Sequence, residues 1–170
     1  MEDRTDLRTV STSVGNKKFV DLGLPSGVLW ATTNVGATYE NGKGEYYQYG
    51  KGSETWGNTH SEADYTGVEN PLSSSNDTAT QVWGESFRTP TQAEFIELIE
   101  NTTQEYVTDY KGTGTDGLVF TAQNGNYIFF PAGGGKNTSG QDYPAGYGAY
   151  WSSSPYGTTW TDSAKSMAFY

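Results

Sequence analysis

Turn-forming residues cut this chain into short pieces. Twenty-two glycines are spread over 170 residues, many of them beside Asn, Asp, Ser or Thr, and such positions favour positive φ and tight turns. Long helices are therefore not expected to dominate. The length suits one domain with one core. Hydrophobic residues make up only 34% of the chain, but 5 Trp, 13 Tyr and 7 Phe are among them. Each of these can bury of order 150–250 Å², so the core should be built largely from aromatic rings.

Charge and residue types exclude several function classes. A formal net charge of -10 repels phosphate backbones and anionic lipid surfaces, so no nucleic-acid partner is expected. No run of about eighteen apolar residues is present, so no membrane insertion is expected. Residues 1–18 also lack the apolar stretch of a signal peptide. The absence of cysteine removes disulfides, thiolate catalysis and zinc–thiolate sites, and His60 is the only histidine. The chain is read as non-catalytic, with no cofactor and no metal.

Along the chain, residues 1–18 are polar, with Leu7, Val10 and Val14 widely spaced, and read as an arm or linker ahead of a domain over residues 19–170. Residues 19–24 and 28–31 read as short strands across Pro25-Ser26-Gly27. After the turn signal Glu40-Asn41-Gly42, the cluster Tyr46, Tyr47 and Tyr49 reads as an aromatic strand. Residues 51–75 form a long polar loop. Asp77 and Gly84 are placed to cap a short helix carrying Ala79, Val82 and Trp83. Thr91 and Glu94 form a T-x-x-E capping box for a second helix, in which Phe95, Ile96, Leu98 and Ile99 recur at helical spacing. Strands are expected at 106–110, 118–121 and 126–131, the last two joined by Asn124-Gly125, and a final one at 164–170. The expected class is α+β, with short strands and hairpins, two helices and glycine-rich loops.

Several motifs occur in order: 20–27 (VDLGLPSG), Leu29-Trp30-Ala31, Asn34-Val35-Gly36-Ala37, Arg88-Thr89-Pro90-Thr91, Ala93-Glu94, Phe129-Phe130-Pro131-Ala132-Gly133 and Tyr150-Trp151-Ser152-Ser153. Together they resemble the Fibrobacter succinogenes major paralogous domain family over residues 19–170. The resemblance implies a C-type lectin-like fold related to formylglycine-generating enzymes and to the variable proteins of diversity-generating retroelements. The oxidase chemistry of those enzymes requires cysteine and has no position here. The calcium-lectin motifs have only imperfect counterparts, in Glu69-Asn70-Pro71 and Trp160-Thr161-Asp162. Similar domains continue past the strand at 164–169 into a closing strand, so truncation at the C-terminus is an expectation of the resemblance.

Other features have plain structural readings. Glu94, Glu97 and Glu100 sit at helical spacing and read as a solvated helix face rather than an acid–base pair. Residues 109–117 mix Asp and Gly without the D-x-D-x-D-G spacing of a calcium loop. Gly133-Gly134-Gly135 lacks the Lys-Ser or Lys-Thr of a phosphate loop and reads as a flexible turn. Trp151, Met167 and Phe169 follow the apolar pattern and read as core. By contrast Tyr147, Ser154, Tyr156, Thr158, Thr159, Trp160, Asp162, Lys165 and Ser166 combine aromatic and small polar groups. That mixture supplies contact area and adaptable hydrogen bonds, as in a paratope; an ordinary exposed loop is the alternative. Residues 139–170 contain no Asn, as adenine-directed diversification of Asn codons would leave them. The expected function is ligand or receptor binding, to a protein or glycan on a target surface. The expected location is a bacterial cell surface or a phage particle, outside the cell, with an oligomer allowed. The alternative is a structural or assembly domain of a surface appendage.

Overall fold

Two capping signals start the helices. The carboxylate of Asp77 accepts from Thr80 N at 3.0 Å and caps α1, Thr78–Trp83, while Gly84 ends it at φ +105°. Thr91 caps α2, Gln92–Glu100, with both halves of the capping box in place. The computed structural model describes residues 10–14, 16–56, 69–136, 144–155 and 164–170. These form a small α+β fold with two helices and antiparallel sheets. Among the described residues no helix is long and apolar enough to cross a membrane.

The segment after α2 is the most regular part. Thr102 Oγ1 and Asn101 Nδ2 donate to the Leu98 and Glu97 carbonyls at the helix end. The chain then enters β4, Thr102–Val107, earlier than the expected 106–110. β5, Gly117–Ala122, pairs with β4 and with β6, Tyr127–Pro131, in the order β4-β5-β6. Their connection is the Asn124-Gly125 turn: Gly125, at φ +85°, donates to the Ala122 carbonyl, and Asn124 Oδ1 accepts from Asn126 N. Every residue of β6 is buried. Phe120, Leu98 and Val20 are fully excluded from solvent, and Trp30, Phe95, Phe130 and Met167 complete the main cluster.

At the N-terminal end, β1, Val10–Val14, pairs with β2, Lys17–Val20, which pairs with β3, Trp30–Ala31. The expected arm thus includes a strand, and the two expected strands around Pro25 are shorter than their apolar runs. Tyr46, Tyr47 and Tyr49 do not form a named strand; a single bridge joins Tyr47 to Thr55. At the C-terminal end β7, Gly148–Pro155, pairs antiparallel with β8, Ala164–Phe169.

Three expectations are corrected here. Phe95 and Leu98 of α2 face the core, but Ile96 and Ile99 are 45% and 43% exposed. A nine-residue helix has room for one narrow inward stripe, and these two lie on the adjacent stripe with Gln92. The row of glutamates is not a free solvated face either. Glu97 accepts from Ser26 N and Oγ at 2.7 and 2.6 Å, because the 24–27 turn lies against the helix, and Glu94 holds Thr91 N and Arg88. Gly134 is pinned rather than flexible, its N–H donating to the Tyr147 carbonyl at 2.6 Å.

Candidate functional site

The loop after β3 is folded back by glycines. Gly44 has φ +78°, and a Cβ there would lie 2.4 Å from the Val35 carbonyl oxygen, so only glycine fits. Glu45 N donates to that same carbonyl, closing residues 35–45 into a loop. The aromatic residues that follow are then laid across the molecule. The Tyr46 hydroxyl donates to the Gly133 carbonyl, and Trp56 N donates to the Tyr46 carbonyl at 2.7 Å. Tyr49 is buried beside Trp151, with ring centroids 5.7 Å apart.

The opposite wall is β7. Gly148 opens it beneath the ring of Phe169, where a Cβ would lie 2.3 Å from a ring carbon. Tyr150 fastens the strand: its hydroxyl donates to the Pro131 carbonyl at 2.6 Å and accepts from Asn34 Nδ2 at 3.1 Å. Its ring meets Phe130 edge-on and stacks on Phe169. Since neighbouring strand residues point to opposite faces, Trp151 points outward opposite Ser166, while Tyr150 and Met167 point in.

Between these walls lies a cleft of about 990 Å³. Tyr46, Tyr47, Tyr49, Trp56, Tyr147 and Trp151 give it an aromatic lining, with Trp30 and Phe130 in its floor. Lys43, Arg88 and Lys136 are its cations, and Glu45 and Glu94 its carboxylates. Burial, reinforced by Glu45, raises the Tyr47 phenol above its ordinary pKa; burial, reinforced by Asp77, raises that of Tyr49. Burial also raises Tyr150, although Asn34 opposes it. These three hydroxyls are neutral at pH 7. Burial would raise the Glu94 carboxyl, but the Arg88 bonds and Thr91 N–H hold it below the ordinary carboxylate range. The Trp30 Nε1 and Tyr49 hydroxyl are buried without a hydrogen-bond partner. Each such orphan costs about 1–3 kcal/mol, and both belong to rings that line the cleft.

Among the residues predicted from sequence, Tyr147 and Ser166 line the cleft. Ser154 and Lys165 are drawn instead to the start of α2, where Ser154 Oγ accepts from Gln92 N at 3.1 Å and Lys165 Nζ donates to Gln92 Oε1 at 2.7 Å. Tyr156, Thr158, Thr159, Trp160 and Asp162 lie outside the described residues. Met167 is buried and Phe169 packs on the main cluster. Trp151 is the correction: expected in the core, it is 46% exposed, because the register sets it outward.

The wall from Lys43 to Trp56 was missed as a site. Its signal was the crowding of Tyr46, Tyr47, Tyr49 and Trp56 in a glycine-rich stretch, which read as a strand rather than as a contact surface. The 109–117 loop satisfies itself: Asp109 Oδ1 accepts from Gly114 N, and Asp116 Oδ1 from Asp109 N. Among the described residues no group of three or more His, Asp or Glu could hold a metal ion. What the cleft offers is ring stacking and hydrogen bonding by neutral phenols, with charged groups of both signs in its lining. No family model, no curated protein and no solved structure matches the chain.

Proposed function

We propose that this chain is a non-catalytic ligand-binding module whose contact surface is the aromatic cleft together with the outward face of β7 and β8. The observation that carries this reading is Trp151: a large ring, 46% exposed, on a strand fastened by Tyr150 and resting on Tyr49. A rigid exposed aromatic gives contact area at little entropic cost, the property that marks binding hot spots. A concave, largely apolar site with a few polar groups is also the usual form of a ligand pocket. The test is 5-fluorotryptophan labelling, with the Trp151 resonance assigned by Trp151→Phe, against panels of oligosaccharides and tyrosine-containing peptides. Ligands that shift other tryptophans and leave Trp151 unmoved would sink the reading.

The finer fold proposal is C-type lectin-like, as the ordered motifs of the Fibrobacter succinogenes major paralogous domain family suggest, and the setting is a bacterial cell surface or phage particle. The Asn-free segment 139–170 supports diversification of the contact face by a retroelement. Sequencing the flanking DNA tests it: a template repeat and a reverse transcriptase gene are expected, with differing codons at positions such as Ser166. A second reading, an assembly domain, has its own support. Among the described residues the outer edge of β8 pairs with no strand, and Ile96 and Ile99 are exposed on the helix stripe shared with Gln92, which holds Lys165 of β8. Light scattering separates the two, since a stable oligomer through that edge would favour assembly.

A further inference from the structure

The sequence contains two Asn-Gly pairs, Asn41-Gly42 and Asn124-Gly125. Such a pair can rearrange without an enzyme, because glycine has no Cβ to shield its backbone nitrogen or to restrict its φ and ψ. The glycine nitrogen attacks Cγ of the asparagine and the new N–Cγ bond closes a five-membered succinimide. The Cγ–Nδ2 bond breaks, and the proton lost by the glycine nitrogen leaves with Nδ2 as ammonia. Water then opens the ring at one of its two carbonyls. Opening at Cγ gives aspartate, and opening at the backbone carbonyl gives isoaspartate, in which the main chain runs through Cβ and Cγ and a carboxylate replaces the amide.

The two glycine nitrogens are engaged alike: Gly42 N donates to the Tyr39 carbonyl at 2.9 Å, and Gly125 N to the Ala122 carbonyl at 3.0 Å. The asparagines differ. Asn124 is held at both ends of its amide, Nδ2 donating to the Asp21 carbonyl at 3.0 Å and Oδ1 accepting from Asn126 N at 2.9 Å. Its Cγ cannot turn toward Gly125 until both bonds break. Asn41 is half-buried, within reach of water, and its side chain makes no hydrogen bond among the described residues. We infer that Asn41 is a site of spontaneous deamidation, and that its isoaspartate form unlocks the 35–45 loop that leads into the tyrosine wall of the cleft. The main chain has no slack there for an added methylene. A Cβ on Gly42 would stand 2.9 Å from Ala37 Cβ and 3.0 Å from the Tyr39 carbonyl oxygen, and Gly44 is pressed against the Val35 carbonyl. The same crowding keeps residue 42 a glycine, so the reactive pair is built into the turn. The new carboxylate also arises beside Glu40, whose Oε1 holds Lys111 Nζ at 2.7 Å.

The experiment follows the chain in warm, mildly alkaline buffer, folded and in concentrated urea, by peptide mapping with fragment mass spectrometry. In the folded chain, deamidation is expected at Asn41 well before Asn124, as a mixture of aspartate and isoaspartate. In urea the two sites should react at similar rates, because the bonds that hold Asn124 are gone. Asn41→Gln, which would have to close a six-membered ring, should stay unmodified. Hydrogen exchange then reads the loop: the isoaspartate form should lose protection at the amides of Gly42 and Glu45 while the β4-β5-β6 sheet keeps its own. Asn41→Asp, which carries the charge without the extra methylene, should keep most of that protection. Modification of Asn124 as fast as Asn41 in the folded chain, or no modification of Asn41 there, would overturn the site. Unchanged exchange in the isoaspartate form would overturn the unlocking, and equal loosening by Asn41→Asp would overturn its assignment to the lengthened backbone.

Discussion

The sheet of β4, β5 and β6 and the cleft walls are held together in different ways. In the sheet, consecutive backbone pairs run from Thr102↔Ala122 to Val107↔Gly117 and on to Tyr127, and one face closes over Leu98 and Phe120. The wall over residues 43–56, and its join to β7, have few backbone pairs. Isolated bridges at Tyr47–Thr55 and Gly134–Gly148, a bond from Gly134 to Tyr147, and the side chains of Tyr46, Asn34 and Tyr150 do the joining. Where backbone pairs carry the structure, side chains are needed for packing. Where side chains carry it, rings such as that of Tyr46 are left partly exposed. The comparison teaches that stability and exposure of rings are divided between the two regions.

The comparison can be broken most directly at Phe120. Phe120→Ala removes a ring with no solvent exposure and should cost about 3–5 kcal/mol, a fall in Tm of about 10 °C or more. Differential scanning calorimetry checks it. Asp77→Ala should rank next. Its carboxylate, in a residue 2% exposed, caps α1 and also accepts from Thr89 N at 2.9 Å, so both helix cap and loop anchor are lost, for about 2–4 kcal/mol by denaturant titration. A cost below about 0.5 kcal/mol would mean that the ground beneath the cleft is not rigid.

A graded effect is expected in alkali. Tyr49 and Tyr150 have phenols raised above 10 in the folded chain. Their contribution is complete below the unfolded value of about 10 and is lost as pH rises above it. Tm should therefore hold to about pH 9 and decline above about pH 10, and Tyr150→Phe should reduce the slope. The smallest effect belongs to Trp151→Ala, which gives up its contact with Tyr49 and exposed surface, about 1 kcal/mol or less. If it proves as costly as Phe120→Ala, the division between frame and contact surface is wrong.

What could be read in advance was local. The capping box of Thr91 and Glu94, the Asp77 cap, the Gly84 stop and the Asn124-Gly125 turn each depend on residues within about seven positions, and each is found in place. What could not be read depends on partners far along the chain. Glu97 is engaged because Ser26, 71 positions away, folds onto it. Trp151 faces outward because of its register with Ser166, and an apolar residue type does not say which face of a strand it occupies. The same holds for Ile96 and Ile99, whose spacing allowed four inward residues where the core admits two. For the site, Tyr147 and Ser166 on one wall were read from the sequence, but the tyrosine cluster opposite read only as a strand, since it meets Gly133 and the rest of that wall through tertiary bonds.

The fit of Gly148 beneath Phe169 has a further consequence. A slip of β7 by one residue would put Tyr147 or Ala149 under that ring, where no Cβ can be accommodated. The strand is keyed at one end, like a ruler held against a stop. Positions along its outward edge keep their addresses in space whatever side chains occupy them, so this surface can be rewritten without being rebuilt.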